Sequence, residues 1–176
     1  MTVTPHNLHS SYRGVLIKQL FVGDLLRHLW NAGPILAEVL EPQVDDAGYD
    51  LVIQVGCVLR HIQLKSSHWN SSTFSQKVHL KLASKPSGCV IWIIFDENTL
   101  KAGSYLWFGA APGEPLPDIG RFNIARHTKA DSTGHKAERN MFRVVPKSKF
   151  EKLKLISQVA ATLFGQEAIG KEKESV

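Results

Sequence analysis

The chain has 176 residues, 43% hydrophobic and 21% charged, with formal net charge +5 and pI about 9.3. That length supports a domain with a real core, and the composition is that of an ordinary soluble globular protein. No apolar run is long enough to cross a bilayer, and the polar start MTVTPHNLHS lacks the apolar region of a secretory signal, so a cytoplasmic protein is expected.

Charge is unevenly spread. Residues 24–50 hold six acids (Asp24, Glu38, Glu41, Asp45, Asp46, Asp50) against the single base Arg27. Residues 60–85 hold five bases and no acid, and residues 121–152 hold nine bases against three acids. An acidic patch beside basic segments suits a cation-dependent enzyme acting on a polyanion; a solvated surface of mixed charge is the plainer alternative. Cys57 and Cys89 lie far apart in no C-x-x-C motif, and both are expected to be buried thiols.

In chain order, residues 1–11 read as a flexible start, residues 12–168 as one domain and residues 169–176 as a frayed, charged tail. Three- and four-residue spacing predicts a helix from Tyr12 to Asn31 with Val15, Leu16, Leu20, Val22, Leu25, Leu26, Leu29 and Trp30 as its apolar positions. Gly33-Pro34 stops it. Strands are expected at 35–41, 51–55 and 58–64, the last two forming a hairpin across Gly56-Cys57. Thr73–Ser84 alternates like a strand in part, yet a helix suits the crossover expected there, so a helix is predicted. Cys89–Phe95 (CVIWIIF) is read as a strand buried on both faces, and Tyr105–Ala110 as another strand. Residues 121–146 are basic and irregular, with a short strand at 142–145. Ser148 and Glu151 have capping-box spacing before a helix from Phe150 to Phe164. The fold class is α/β: a central mixed sheet flanked by helices, with a C-terminal helix.

The hairpin carries the chemistry. Residues two apart on a strand share a face, so Gln63 and Lys65 point together, and Asp50 at the start of the preceding strand lies beside them. A carboxylate, a side-chain amide and a backbone carbonyl are hard oxygen ligands suited to Mg²⁺, and an adjacent lysine can orient water and offset negative charge.

Gly48-Tyr49-Asp50-Leu51-Val52, followed by Ile62-Gln63-Leu64-Lys65-Ser66, resembles the PD-(D/E)xK nuclease superfamily, in the Gln-x-Lys variant seen in methylation-dependent restriction endonucleases. The likeness covers roughly residues 12–110 and implies a restriction-endonuclease-like core. It also implies a Mg²⁺- or Mn²⁺-dependent nuclease acting on DNA, with a homodimer where two strands are cut. Asp50 would bind metal, Gln63 would stand at the second ligand position, and Lys65 would be the catalytic lysine. Two departures matter. Gln63 is neutral, and the first helix has no glutamate, so Asp24, Glu38 or Glu41 would have to complete the site. The alternatives are a catalytically weak or inactive nucleic-acid-binding module on the same fold, and an interaction protein whose hairpin is only structural.

Ser66, Lys77, Lys81, Arg121, Arg126, Lys129, Lys136 and Arg139 are the candidates for phosphate contact. Trp69, in a polar loop, is placed to stack on a base, whereas Trp30, Trp92 and Trp107 read as core. His127, Asp131 and His135 have a spacing in which zinc is conceivable, but it matches no standard ligand set.

Overall fold

The structure, a computed structural model, describes residues 10–33, 35–44, 46–128, 132, 134, 136–166 and 169. Helix α1 (Ser10–Ala32) leads into strands β1 (Ala37–Leu40), β2 (Leu51–Val55) and β3 (Val58–His68). Strand β4 (Ser75–His79) and a 3₁₀ turn (Leu80–Ser84) precede β5 (Gly88–Phe95) and β6 (Ala102–Phe108). Strands β7 (Ile124–Arg126), β8 (Glu138–Pro146) and β9 (Glu151–Leu153) follow, then helix α2 (Ile156–Phe164). The six-stranded mixed sheet runs β1-β2-β3-β5-β6-β9, and a three-stranded antiparallel sheet runs β4-β8-β7. Only β3 and β5 pair in parallel; the other neighbours are antiparallel.

Alternation along β5 makes the layers. Cys89, Ile91, Ile93 and Phe95 join the core formed with both helices, while Val90 and Trp92 join a second core with Val78 and Val145 of the small sheet. A strand apolar on both faces is therefore explained by having a layer on each side. From α1, Ile17, Phe21, Leu25 and Leu29 are buried at four-residue steps, and burying each such side chain is worth about 1.5–3 kcal/mol. The apolar face lies one stripe away from part of the expected set. Val15, Leu20, Leu26 and Trp30 are exposed, Trp30 by 66%, so Trp30 is not core. The helix is apolar on most of its circumference, and periodicity alone did not choose the stripe.

Three further expectations change. Thr73–Ser84 is helical only in its 3₁₀ end, Leu80–Ser84: the crossover from β3 to β5 first forms β4, which leaves the large sheet and pairs with β8. Residues 121–146 are more regular than expected, because β8 runs nine residues between β4 and β7. The last helix begins at Ile156, since Glu151–Leu153 instead extend the large sheet beside β6. Gln158 Oε1 accepts from the backbone N–H of Lys154 at 2.7 Å and of Leu155 at 3.2 Å, taking over the capping assigned to Ser148 and Glu151. Cys57 is exposed in the hairpin turn, and Cys89 is buried; both are free thiols. No described helix is long and apolar enough to cross a membrane.

Burial pushes the Cys89 thiol from an ordinary 9.0 up to about 12, with nearby Arg60 acting weakly against it. Burial, then the charge of Asp24, raises the Tyr105 phenol from 10.0 to about 12. Both groups hold in the folded state a proton that the unfolded chain releases. Their contribution is thus fully present below about pH 9 and is lost as pH rises towards 12. The urea midpoint is expected to fall steadily above about pH 9, the thiol accounting for up to about 1.4 kcal/mol per pH unit, and Cys89→Ala should flatten that limb. A midpoint constant to about pH 11 would refute this.

Candidate active site

The β2–β3 register pairs Leu51 with Ile62, so Asp50, one step beyond, stands opposite Gln63 and shares its face. Two hydrogen bonds hold it: its backbone N–H donates to Ile62 O at 2.8 Å, and its Oδ2 accepts the Leu64 N–H at 2.7 Å. The Asp50 side chain thus continues the ladder just past the end of β2. Ile62 and Leu64 pack towards the helices, which turns Gln63 and Lys65 to the face that bears the small sheet.

Asp50, Gln63 and Lys65 line one open hollow of about 720 Å³, with Lys77 and His79 of β4 and Arg139 of β8 on its other wall. Asp46 stands at the same hollow, and its carboxyl is held below its ordinary range by the hydrogen bond and charge of Lys81. The Arg139 guanidinium lies 4.0 Å over the Phe142 ring, and the His79 ring meets that ring edge-on at 4.6 Å.

Gln63 is nearly buried, and its Oε1 accepts the His79 backbone N–H at 3.2 Å. Only an oxygen can accept that proton, which fixes the amide orientation chemically. One lone pair of the oxygen is therefore committed, and the NH₂ is held as a donor. His79 Nδ1 in turn accepts the Lys81 N–H at 3.0 Å, so the neutral ring carries its proton on Nε2. Gly48 fastens this corner. It has φ +81°, and a Cβ there would lie 3.0 Å from Leu82 N and 3.3 Å from His79 Nδ1. The turn before Asp50 thus presses directly on the 3₁₀ turn after His79.

A second hollow of about 340 Å³ adjoins on the other side of the same two residues, lined by Asp50, Lys65 and Ser66 with Ser11, Gly14 and Lys18 of α1.

The remaining candidates are dispersed. Glu38 pairs in register with Gln54, four steps from Asp50, or about 13 Å along the strand. It lines neither hollow. Glu41 accepts from Lys18 Nζ and from Gln19 Nε2 at 3.3 Å, which holds it against α1 beside the smaller hollow, not in it. Asp24 pairs with Arg27 at a separate hollow. Glu38 is thus carried away from Asp50, whereas Glu41 follows Leu40, which pairs with Val52, and its partner Lys18 lines the smaller hollow with Asp50. Lys77 Nζ donates to Arg126 O at 2.8 Å, Lys81 pairs with Asp46, Arg121 with Asp118 and Arg126 with Glu138. Lys136 is exposed. Lys81, Arg121, Arg126 and Lys136 line neither hollow. Arg60, counted among the basic residues, is fully buried and cannot touch a phosphate. Lys129 lies outside the described residues, as do Asp131 and His135 of the conceivable zinc spacing. Trp69 is 55% exposed and packs by one ring edge near Gly103.

His79 and Phe142 were not legible as site residues. The partial alternation of Lys77–Leu82 was the available signal for β4, and a strand there would have turned His79 and Lys77 to one face. Among the described residues no cluster of three or more His, Cys, Asp or Glu is arranged to hold a metal ion. The donor set of Asp50 plus an amide oxygen fits a weakly held hard cation, one that completes its shell with water. Gln63→Glu keeps an acceptor for the His79 N–H and adds a charge. It is expected to raise Mn²⁺ affinity about tenfold or more in calorimetric titration without nucleic acid. An unchanged affinity would mean that this hollow takes no cation.

No family model matches the chain, and no curated protein shows a significant match to it.

Proposed function

We propose that the chain is a divalent-metal-dependent nuclease of the PD-(D/E)xK type that hydrolyses phosphodiester bonds, with DNA the substrate that the resemblance implies. One observation carries this reading. Asp50, Gln63 and Lys65, from two adjacent strands, line a single hollow whose facing wall is basic. Asp50 and Gln63 would hold Mg²⁺ or Mn²⁺; the chemistry such an ion supplies when bound is charge stabilisation at a phosphate oxygen and acidification of water. Lys65 would orient the attacking water and offset charge developing on the phosphate. Lys77 and Arg139 would grip the backbone, and the Gln63 NH₂ would donate to a phosphate oxygen.

The restriction-endonuclease-like core is supported by the helix, the antiparallel β1-β2-β3 run and the parallel β3–β5 step. A second reading has its own support. The Gln63 oxygen already accepts the His79 N–H, and Glu41 is already engaged by Lys18 and Gln19, which favours a binding module of low activity. Supercoiled plasmid separates the two. The nuclease nicks it in Mg²⁺ or Mn²⁺ and stops in EDTA, whereas the binding module retards it in a salt-dependent way without cutting.

A further inference from the structure

Asp50 and Lys65 line both hollows, and nearly everything else around the two differs. On one side Ser11, Gly14 and Lys18 stand at i, i+3 and i+7 on one face of α1. On the other, Gln76, Lys77 and Arg139 belong to the small sheet. Each hollow has its own cation (Lys18, which Glu41 pairs, in the smaller; Lys77 and Arg139, with Asp46 beside them, in the larger) and shares that of Lys65. The arrangement is a groove with cations on either side of a central Asp–Lys pair.

Resting on the nuclease reading, we propose that one nucleic-acid strand runs through both hollows. Its target phosphate sits at Asp50 and Lys65, the nucleotides on one side lie against α1, and those on the other lie against β4 and β8. Cations spaced along a groove track a phosphate backbone without reading sequence. Gly14 fits this role. A glycine inside a helix costs about 0.5–1 kcal/mol relative to alanine, and a Cβ at Gly14 would meet nothing within 4 Å. The position is open towards the hollow rather than packed against protein. The larger hollow on the small-sheet side is where more of the strand is held. A strand ending at the target phosphate leaves one hollow empty, so cleavage is internal, not from an end.

The test uses the full chain in EDTA and fluorescein-labelled single-stranded oligodeoxynucleotides, read by anisotropy. Gly14→Glu places a carboxylate in the smaller hollow, and Gln76→Glu places one in the larger. Each is expected to weaken binding of a strand long enough for both hollows by about tenfold, the double variant by the product of the two factors, with neither thermal midpoint lowered. Neutral methylphosphonate linkages then assign sides. Placed 5′ of the central phosphate, they should abolish the penalty of one variant only; placed 3′, that of the other only. The proposal is overturned if both penalties respond to the same side. It is also overturned if Lys65→Ala weakens binding while Gly14→Glu does not. If the wild-type chain binds no strand of any length, the nuclease reading falls, and the strand path with it.

Discussion

Arg60→Met is expected to destabilise the fold by about 4 kcal/mol or more, a large part of the 5–15 kcal/mol that holds a typical domain together. Arg60 is fully buried in β3 with no carboxylate among its hydrogen-bond partners. Its guanidinium donates to four backbone carbonyls: Leu163 O at 2.6 Å, Ala110 O at 3.0 Å, Thr162 O at 3.1 Å and Ala111 O at 3.3 Å. Two of these belong to the last turn of α2, where carbonyls lack partners within the helix and the helix dipole is negative. The other two come from the segment after β6, so one side chain ties the helix layer to the chain leaving the sheet. The Trp107 ring, 5.4 Å from the guanidinium, adds a cation–π contact. Burial lowers the Arg60 pKa, yet arginine stays charged at neutral pH, so carbonyl dipoles do the work of a counter-ion.

Methionine matches much of the stem and leaves those carbonyls without donors, each costing about 1–3 kcal/mol if water cannot reach it. Lysine keeps the charge, but a single ammonium cannot span two pairs of carbonyls, and about half the loss is expected to remain in Arg60→Lys. Urea denaturation by far-UV circular dichroism checks both. A midpoint for Arg60→Met within the error of the wild type would remove Arg60 from its place as the clamp.

Arg60 also illustrates what could be read from the sequence and what could not. An isolated arginine in a basic stretch is normally exposed, and nothing local to it announces carbonyls some 50 and 100 residues further along the chain. The hairpin, by contrast, was legible. Its register follows from a two-residue turn, and alternation then puts Gln63 and Lys65 on one face with Asp50 opposite. Strand β5 was legible because CVIWIIF has no polar face to offer water. The small sheet was not, since β4 gains its partner only from β8, nearly 70 residues away, and a five-residue strand has little local signal of its own. Hence the Asp50–Gln63–Lys65 half of the candidate site was read from sequence, while of the facing wall Lys77 and Arg139 were named and His79 and Phe142 were not. Which acid of the first strand region lies near Asp50 depends on the register of β1 against β2, which carries Glu38 towards the hairpin turn and leaves Glu41, just past β1, on the Asp50 side.

On the proposed nuclease reading, Asp50→Asn and Lys65→Met are each expected to lower the rate of phosphodiester cleavage by about 10³-fold while leaving a folded protein that still binds DNA. The two substitutions are chosen to spare the structure. Asparagine can still accept the Leu64 N–H that Asp50 Oδ2 now takes at 2.7 Å, and methionine keeps the apolar stem of half-buried Lys65. What each removes is charge at the point the two hollows share. Loss of the Asp50 carboxylate takes away the only acid of the Asp50–Gln63–Lys65 set. Binding in EDTA should be unchanged or tighter, because a negative group beside the phosphate has gone. Loss of the Lys65 ammonium would take away the phosphate contact proposed for it, so binding should weaken modestly and the salt dependence should become shallower by about one counter-ion. The kinetic partition follows. Both changes should fall mainly on kcat, because the interactions removed matter most as charge develops on the phosphate, and KM should move little for Asp50→Asn. Single-turnover cleavage of labelled duplex and single-stranded DNA in Mg²⁺ and in Mn²⁺ measures this directly, with unchanged circular dichroism as the control for folding. Either variant cutting within tenfold of the wild type would show that the Asp50–Lys65 pair is not where the chemistry occurs.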